Sequence, residues 1–134
     1  MKGGDVPGLD DYIRYRQAKS KEAYDNACLL AANGAWNAAI NRLYYSCFYM
    51  TTALLLRHSI KAQTHSGVKS EFARRFVKEG IVGKEHFRLY SDLMDWRQKG
   101  DYGDMFDFDG ETVTDLLPKV KDFLAVLDGL VGTD

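Results

Sequence analysis

Asn41-Arg42-Leu43-Tyr44-Tyr45-Ser46-Cys47-Phe48-Tyr49 lies at the centre of a long helical pattern, and its reading decides the fold. Around it, Trp36, Ile40, Leu43, Cys47, Met50 and Leu54 recur at spacings of three and four, which places them on one face of a helix over residues 35–58. A second stripe of Arg42, Tyr45, Tyr49, Ala53 and Leu56 covers the adjacent face. A helix apolar over so much of its circumference is either central to a core or shared with another subunit.

Working outward, a first helix is expected from a cap at Asp10 or Asp11 to Asn33-Gly34, with Ala23, Ala27, Cys28, Ala31 and Ala32 small enough for close helix approach. Thr64-His65-Ser66-Gly67 opens a third helix that ends near Gly80, and a fourth, with Leu89, Leu93 and Trp96 on its apolar stripe, covers residues 84–99. Residues 100–110 read as a loop. Asp109 then caps a last helix with Val113, Leu116, Val120, Phe123, Leu127 and Leu130 facing inward, kinked or broken at Pro118. Strand-like alternation and internal repeats are absent from the pattern. The expectation is an all-α fold: an antiparallel up-and-down helical bundle of four long helices plus a C-terminal helix. Residues 1–9 read as a flexible tail and 10–131 as a single domain.

The formal net charge is −1, so any site for a polyanion has to be a local patch. Cys28 and Cys47 lack metal-ligand spacing and read as small buried hydrophobes. Residues 1–11 are polar and glycine-rich, unlike a signal peptide, and the nearly uncharged run over 43–56 is shorter than the roughly 20 residues that span a bilayer. A cytoplasmic protein without membrane association is expected. Asp101, Asp104, Asp107 and Asp109 do not follow the order of a calcium-binding loop, because Met105 occupies a position that needs an acid. Neither a metal nor a cofactor is expected.

Three groups of residues could carry chemistry. In Arg97-Gln98-Lys99-Gly100-Asp101-Tyr102-Gly103-Asp104, Arg97 sits at the edge of an apolar stripe, and a guanidinium there needs a partner because it cannot neutralise itself. Asp101, four residues on, makes it a structural ion pair or a phosphate-positioning arginine oriented by Asp101, Tyr102 and Asp104. Arg42 with Tyr45 and Tyr49 is either aromatic packing at the core or subunit interface, or a stacking surface with Arg42 on a phosphate. Thr64, His65, Ser66 and Lys69 form a helix start that caps itself or holds an anion, and His65 is the remaining candidate for proton transfer if folding brings it near Arg97.

Three blocks, residues 41–49, Thr64-His65-Ser66-Gly67-Val68 and residues 97–104, occur in the order and spacing of the HEPN domain (higher eukaryotes and prokaryotes nucleotide-binding), which this chain closely resembles from about Tyr12 to Leu130. The resemblance implies a helical bundle that forms homodimers and pairs with a small nucleotidyltransferase-like protein, often as a toxin–antitoxin pair. It also implies a nucleotide or RNA ligand. Many members are metal-independent ribonucleases whose signature is an arginine followed a turn or so later by a histidine, near the end of the fourth helix and at the dimer cleft. Arg97 matches that arginine, but no histidine follows it here. Cleavage by the 2′-hydroxyl needs a group that moves a proton near neutral pH, so the nuclease chemistry does not carry over by default. The reading is a HEPN-type nucleotide- or RNA-binding module. The alternatives are a degenerate metal-independent ribonuclease with Arg97 and His65 as catalytic candidates, or a pure dimerisation module.

Overall fold

The computed structural model describes residues 8–102 and 107–132, Tyr102 by its backbone alone. Among these, five α-helices follow one another: α1 (Leu9–Ala32), α2 (Trp36–Arg57), α3 (His65–Phe72), α4 (Lys84–Tyr102) and α5 (Gly110–Val131). The third is the shortest and is continued by a π-helical turn, Ala73–Val77. The described residues form an all-α helical bundle, as the hydrophobic spacing predicts.

Direction follows from the cross-links. Asp10 meets Arg57 at 3.0 Å, Arg16 donates to Thr52 at 3.2 Å, and Ser20 donates to the Ser46 carbonyl at 2.7 Å, so α1 and α2 run antiparallel. Tyr24 and Gln17 of α1 bond to Leu117 and Asp128 of α5, again antiparallel. Trp36 packs on Gly110, and Arg57 Nε donates to the Val131 carbonyl at 2.9 Å, so α2 and α5 lie parallel. The apolar circumference of α2 is thereby enclosed on several sides, with Ile40, Leu43, Tyr44, Cys47, Met50 and Leu54 fully buried.

Several local expectations change. The cap of α1 is Gly8, not Asp10 or Asp11; Asp11 sits inside the first turn, where its carboxylate accepts the Gly8 N–H at 3.1 Å. α4 does not stop at Lys99 but runs through Gly100 to Tyr102. A β-carbon on Gly100 would lie 3.3 Å from Phe108, so this glycine serves close packing rather than a turn. α5 is unbroken at Pro118. That proline is on the exposed face, and the carbonyl it leaves unbonded, on exposed Thr114, can bond water instead. Leu130 is exposed and Val131 takes the inward place. Asp109 does cap α5, accepting the Thr112 N–H at 2.7 Å.

Candidate functional site

Two segments distant in sequence converge on α2. From α4, the Arg97 guanidinium carbon lies 5.1 Å from the Tyr44 ring centre and 5.7 Å from that of Tyr45. From α3, His65 places Nδ1 2.5 Å from the Tyr44 hydroxyl and stacks on Phe48 at 4.3 Å and 10°. Arg42, on α2 itself, holds its guanidinium 5.0 Å from the Tyr45 ring centre. The folding that brings His65 and Arg97 around the same two tyrosines is the condition on which a role for His65 depended.

Local structure explains how His65 is held. Thr64 caps α3, its Oγ1 accepting the Gly67 N–H at 2.9 Å. A β-carbon at residue 67 would come within 2.8 Å of that oxygen, so the cap requires glycine there. His65 is then the first residue of α3, turned back onto α2. The Thr64 and Ser66 hydroxyls are 3.4 Å apart and serve this helix start, while half-buried Lys69 joins no ion pair among the described residues.

Polar contacts link the two arginines. Arg42 donates from Nε and Nη2 to Asn41 Oδ1, at 3.0 and 2.8 Å. That fork fixes the Asn41 amide so that its Nδ2 donates to Asp101 Oδ2 at 2.9 Å. The same Asp101 oxygen faces Arg97 Nη1 at 3.7 Å, which is the ion pair the spacing of four suggests. Arg97 is nevertheless incompletely matched: its Nε is buried, and no acceptor among the described residues bonds it.

Electrostatics set the protonation states. Burial pushes the Tyr44 phenol up to about 12 against the opposing charge of Arg97, so it keeps its proton throughout the neutral range. Its O–H is therefore assigned as donor to His65 Nδ1, which leaves the hydrogen of neutral His65 on Nε2. Burial, then the positive charge of Arg97, holds His65 below its ordinary 6.5. Near neutral pH His65 thus presents an N–H donor, not a charged imidazolium. Below Tyr44, the Tyr90 ring lies parallel at 5.9 Å, and burial drives its phenol far upward. The two hydroxyls affect each other's ionisation, yet the buried Tyr90 hydroxyl has no hydrogen-bond partner among the described residues.

The pattern of the HEPN domain matches residues 13–130. The chain belongs to the HEPN family. Among its relatives is a UPF0332 protein of Thermotoga maritima, 39% identical over 119 residues, covering 89% of this chain and 90% of the relative. The protein named "Putative toxin MJ0142" of Methanocaldococcus jannaschii is 36% identical over 106 residues, covering 79% of this chain and 70% of the relative.

Within this HEPN bundle, Arg42, His65, Arg97 and Asp101 gather at one place with half-buried Tyr45. Tyr49 adjoins Tyr45, ring centres 6.0 Å apart, at the margin of the cluster. Asp104 and the Tyr102 side chain lie outside the described residues. Among the described residues, no three His, Cys, Asp or Glu side chains converge as a metal site, and no helix is long and apolar enough to cross a membrane. Sequence reasoning missed Tyr44, Phe48 and Asn41. Tyr44 falls between the two stripes, but Asn37 and Asn41, four apart on one face of α2, were a usable signal: Asn37 accepts the Phe108 N–H at 2.9 Å and Asn41 fixes Asp101. A groove of about 360 Å³ between α4 and α5, lined by His86, Leu89, Trp96 and Leu116, contains neither Arg97 nor His65.

Proposed function

We propose that this HEPN chain is a nucleotide- or RNA-binding module, the toxin-like half of a pair completed by a small nucleotidyltransferase-like protein. One observation carries the binding reading: two guanidiniums and a neutral histidine are gathered on a half-buried tyrosine. Arginine forks suit phosphate oxygens, and aromatic faces suit bases. Arg97 and Arg42 would take phosphate, with Tyr45, Phe48 and His65 against the base and His65 Nε2–H as a further donor. The pairing rests on the family and on the name of the M. jannaschii relative. A homodimer joining two Tyr45–Tyr49 faces would set two such sites side by side.

The test is fluorescence anisotropy with a labelled single-stranded oligoribonucleotide across a salt series, using the chain alone and co-purified with its partner. Binding should weaken with salt, and Arg97→Ala and Arg42→Ala should each lower the slope of log affinity against log salt by about 0.7, as expected for one lost phosphate contact. Absence of binding at low salt, with and without the partner, contradicts the proposal.

The approach of His65 to Arg97 favours a second reading, metal-independent RNA cleavage. It requires cleavage of labelled RNA that Arg97→Ala abolishes. Against it stands the Tyr44 hydroxyl on Nδ1, which leaves neutral His65 without a free ring nitrogen to accept a proton.

A further inference from the structure

We propose that Asp101 is a built-in competitor of ligand phosphate at the Arg97 site. Its carboxylate occupies the place of a ligand phosphate, so that only a ligand carrying a phosphodiester of single-stranded RNA displaces it. The inference rests on the nucleotide- or RNA-binding reading above.

The contacts of Asp101 are those a phosphate oxygen would make. One carboxylate oxygen accepts from the Asn41 amide at 2.9 Å and faces Arg97 Nη1 at 3.7 Å. The fit to Arg97 is loose, because a bidentate arginine–oxyanion pair has both contacts near 2.8 Å and here Nε has no acceptor among the described residues. A planar carboxylate tethered to α4 cannot serve Asn41 and both edges of the fork together. A tetrahedral phosphodiester, free to settle, has oxygens in more directions.

The position of Asp101 also favours release. It stands in the last turn of α4, where the negative end of the helix dipole opposes a carboxylate. Its side chain is 27% exposed, so once displaced it can turn into water. Asn41 does not follow it, because the Arg42 fork holds the amide oxygen and keeps Nδ2 aimed at the vacated place. Arg42 therefore acts on the incoming phosphate through Asn41 as well as by its charge. A neutral ligand recovers neither the Asn41 contact nor the Arg97 contact, so it leaves the carboxylate in place.

Asp101→Asn keeps the shape and removes the charge; Asp101→Ser is the second variant, and both are checked by thermal melting. Affinity is measured for a short oligouridylate and for its uncharged methylphosphonate counterpart, at fixed low salt. Removing one negative charge beside the phosphate should tighten oligouridylate binding roughly tenfold while leaving the methylphosphonate oligomer unchanged. A merely structural role would shift both ligands together. If the wild-type protein binds and neither variant tightens, or both ligands tighten equally, the displacement idea fails while the binding function stands. If neither wild type nor variants bind at low salt, the binding function fails and this inference with it.

Discussion

Replacing Arg97 by methionine retains an apolar stem and removes the fork, and both stability and His65 should respond. Loss of the cation over the Tyr44 and Tyr45 rings, at 5.1 and 5.7 Å, costs about 0.5–2 kcal/mol. The 3.7 Å ion pair with a partly exposed Asp101 adds at most about 1 kcal/mol. Removing a buried Nε that lacks an acceptor offsets about 1 kcal/mol of this. The net loss near neutral pH is therefore at most about 2 kcal/mol, a fall in Tm of no more than several degrees. The effect on His65 is more diagnostic. Burial and then Arg97 hold its pKa below 6.5, so between the folded and unfolded values the unfolded chain binds more protons. Wild-type stability therefore falls as pH drops below about 6.5 through the folded value. Without the Arg97 charge, the His65 midpoint should rise toward 6.5 but stay below it, since burial is the larger cause, and this acid-side loss should shrink. An NMR titration of the His65 ring, with denaturant melts at pH 5.5 and 7.5, reads both. A midpoint that stays put or falls in Arg97→Met would refute the electrostatic coupling of the two residues.

Three further outcomes test the frame that carries the site. Gly110→Ala should destabilise by about 1–3 kcal/mol in a thermal melt, because its β-carbon would meet the Trp36 ring at 2.7 Å. Thr64→Ala removes the cap of α3 and should cost about 1 kcal/mol, with the His65 NMR signal broadening as the helix start loosens. Cys47 is fully buried and its thiol is held well above the ordinary range, so a disulfide reagent should modify half-buried Cys28 readily and Cys47 only as the bundle unfolds.

The bundle was legible because α2 carries two adjacent apolar stripes, a pattern no strand or isolated surface helix produces. The cap at Asp109 and the helix start at Thr64 were legible too, since capping is local chemistry. The errors came where tertiary contact overrides local propensity. Gly100 reads as a stop, yet Phe108 and Asn37 hold it within α4. Pro118 reads as a break, yet its exposed position lets the helix continue. The site was legible in its charged members, Arg42, His65 and Arg97, but not in what joins them. Tyr44 belongs to neither stripe, and the link from Arg42 through Asn41 to Asp101 crosses from α2 to α4, a pairing that no spacing within one helix encodes.

The proposed ligand surface is formed by Arg97, Arg42, Tyr45 and His65 and would take a phosphate-bearing nucleotide. Titrating isotope-labelled protein with a single-stranded oligoribonucleotide, while following the arginine Nε–H, His65 and tyrosine ring signals, tests it most directly. The Arg97, Arg42, His65 and Tyr45 signals should shift together with one saturation curve. Shifts confined to the α4–α5 groove around His86 and Trp96, or none at low salt, would contradict it.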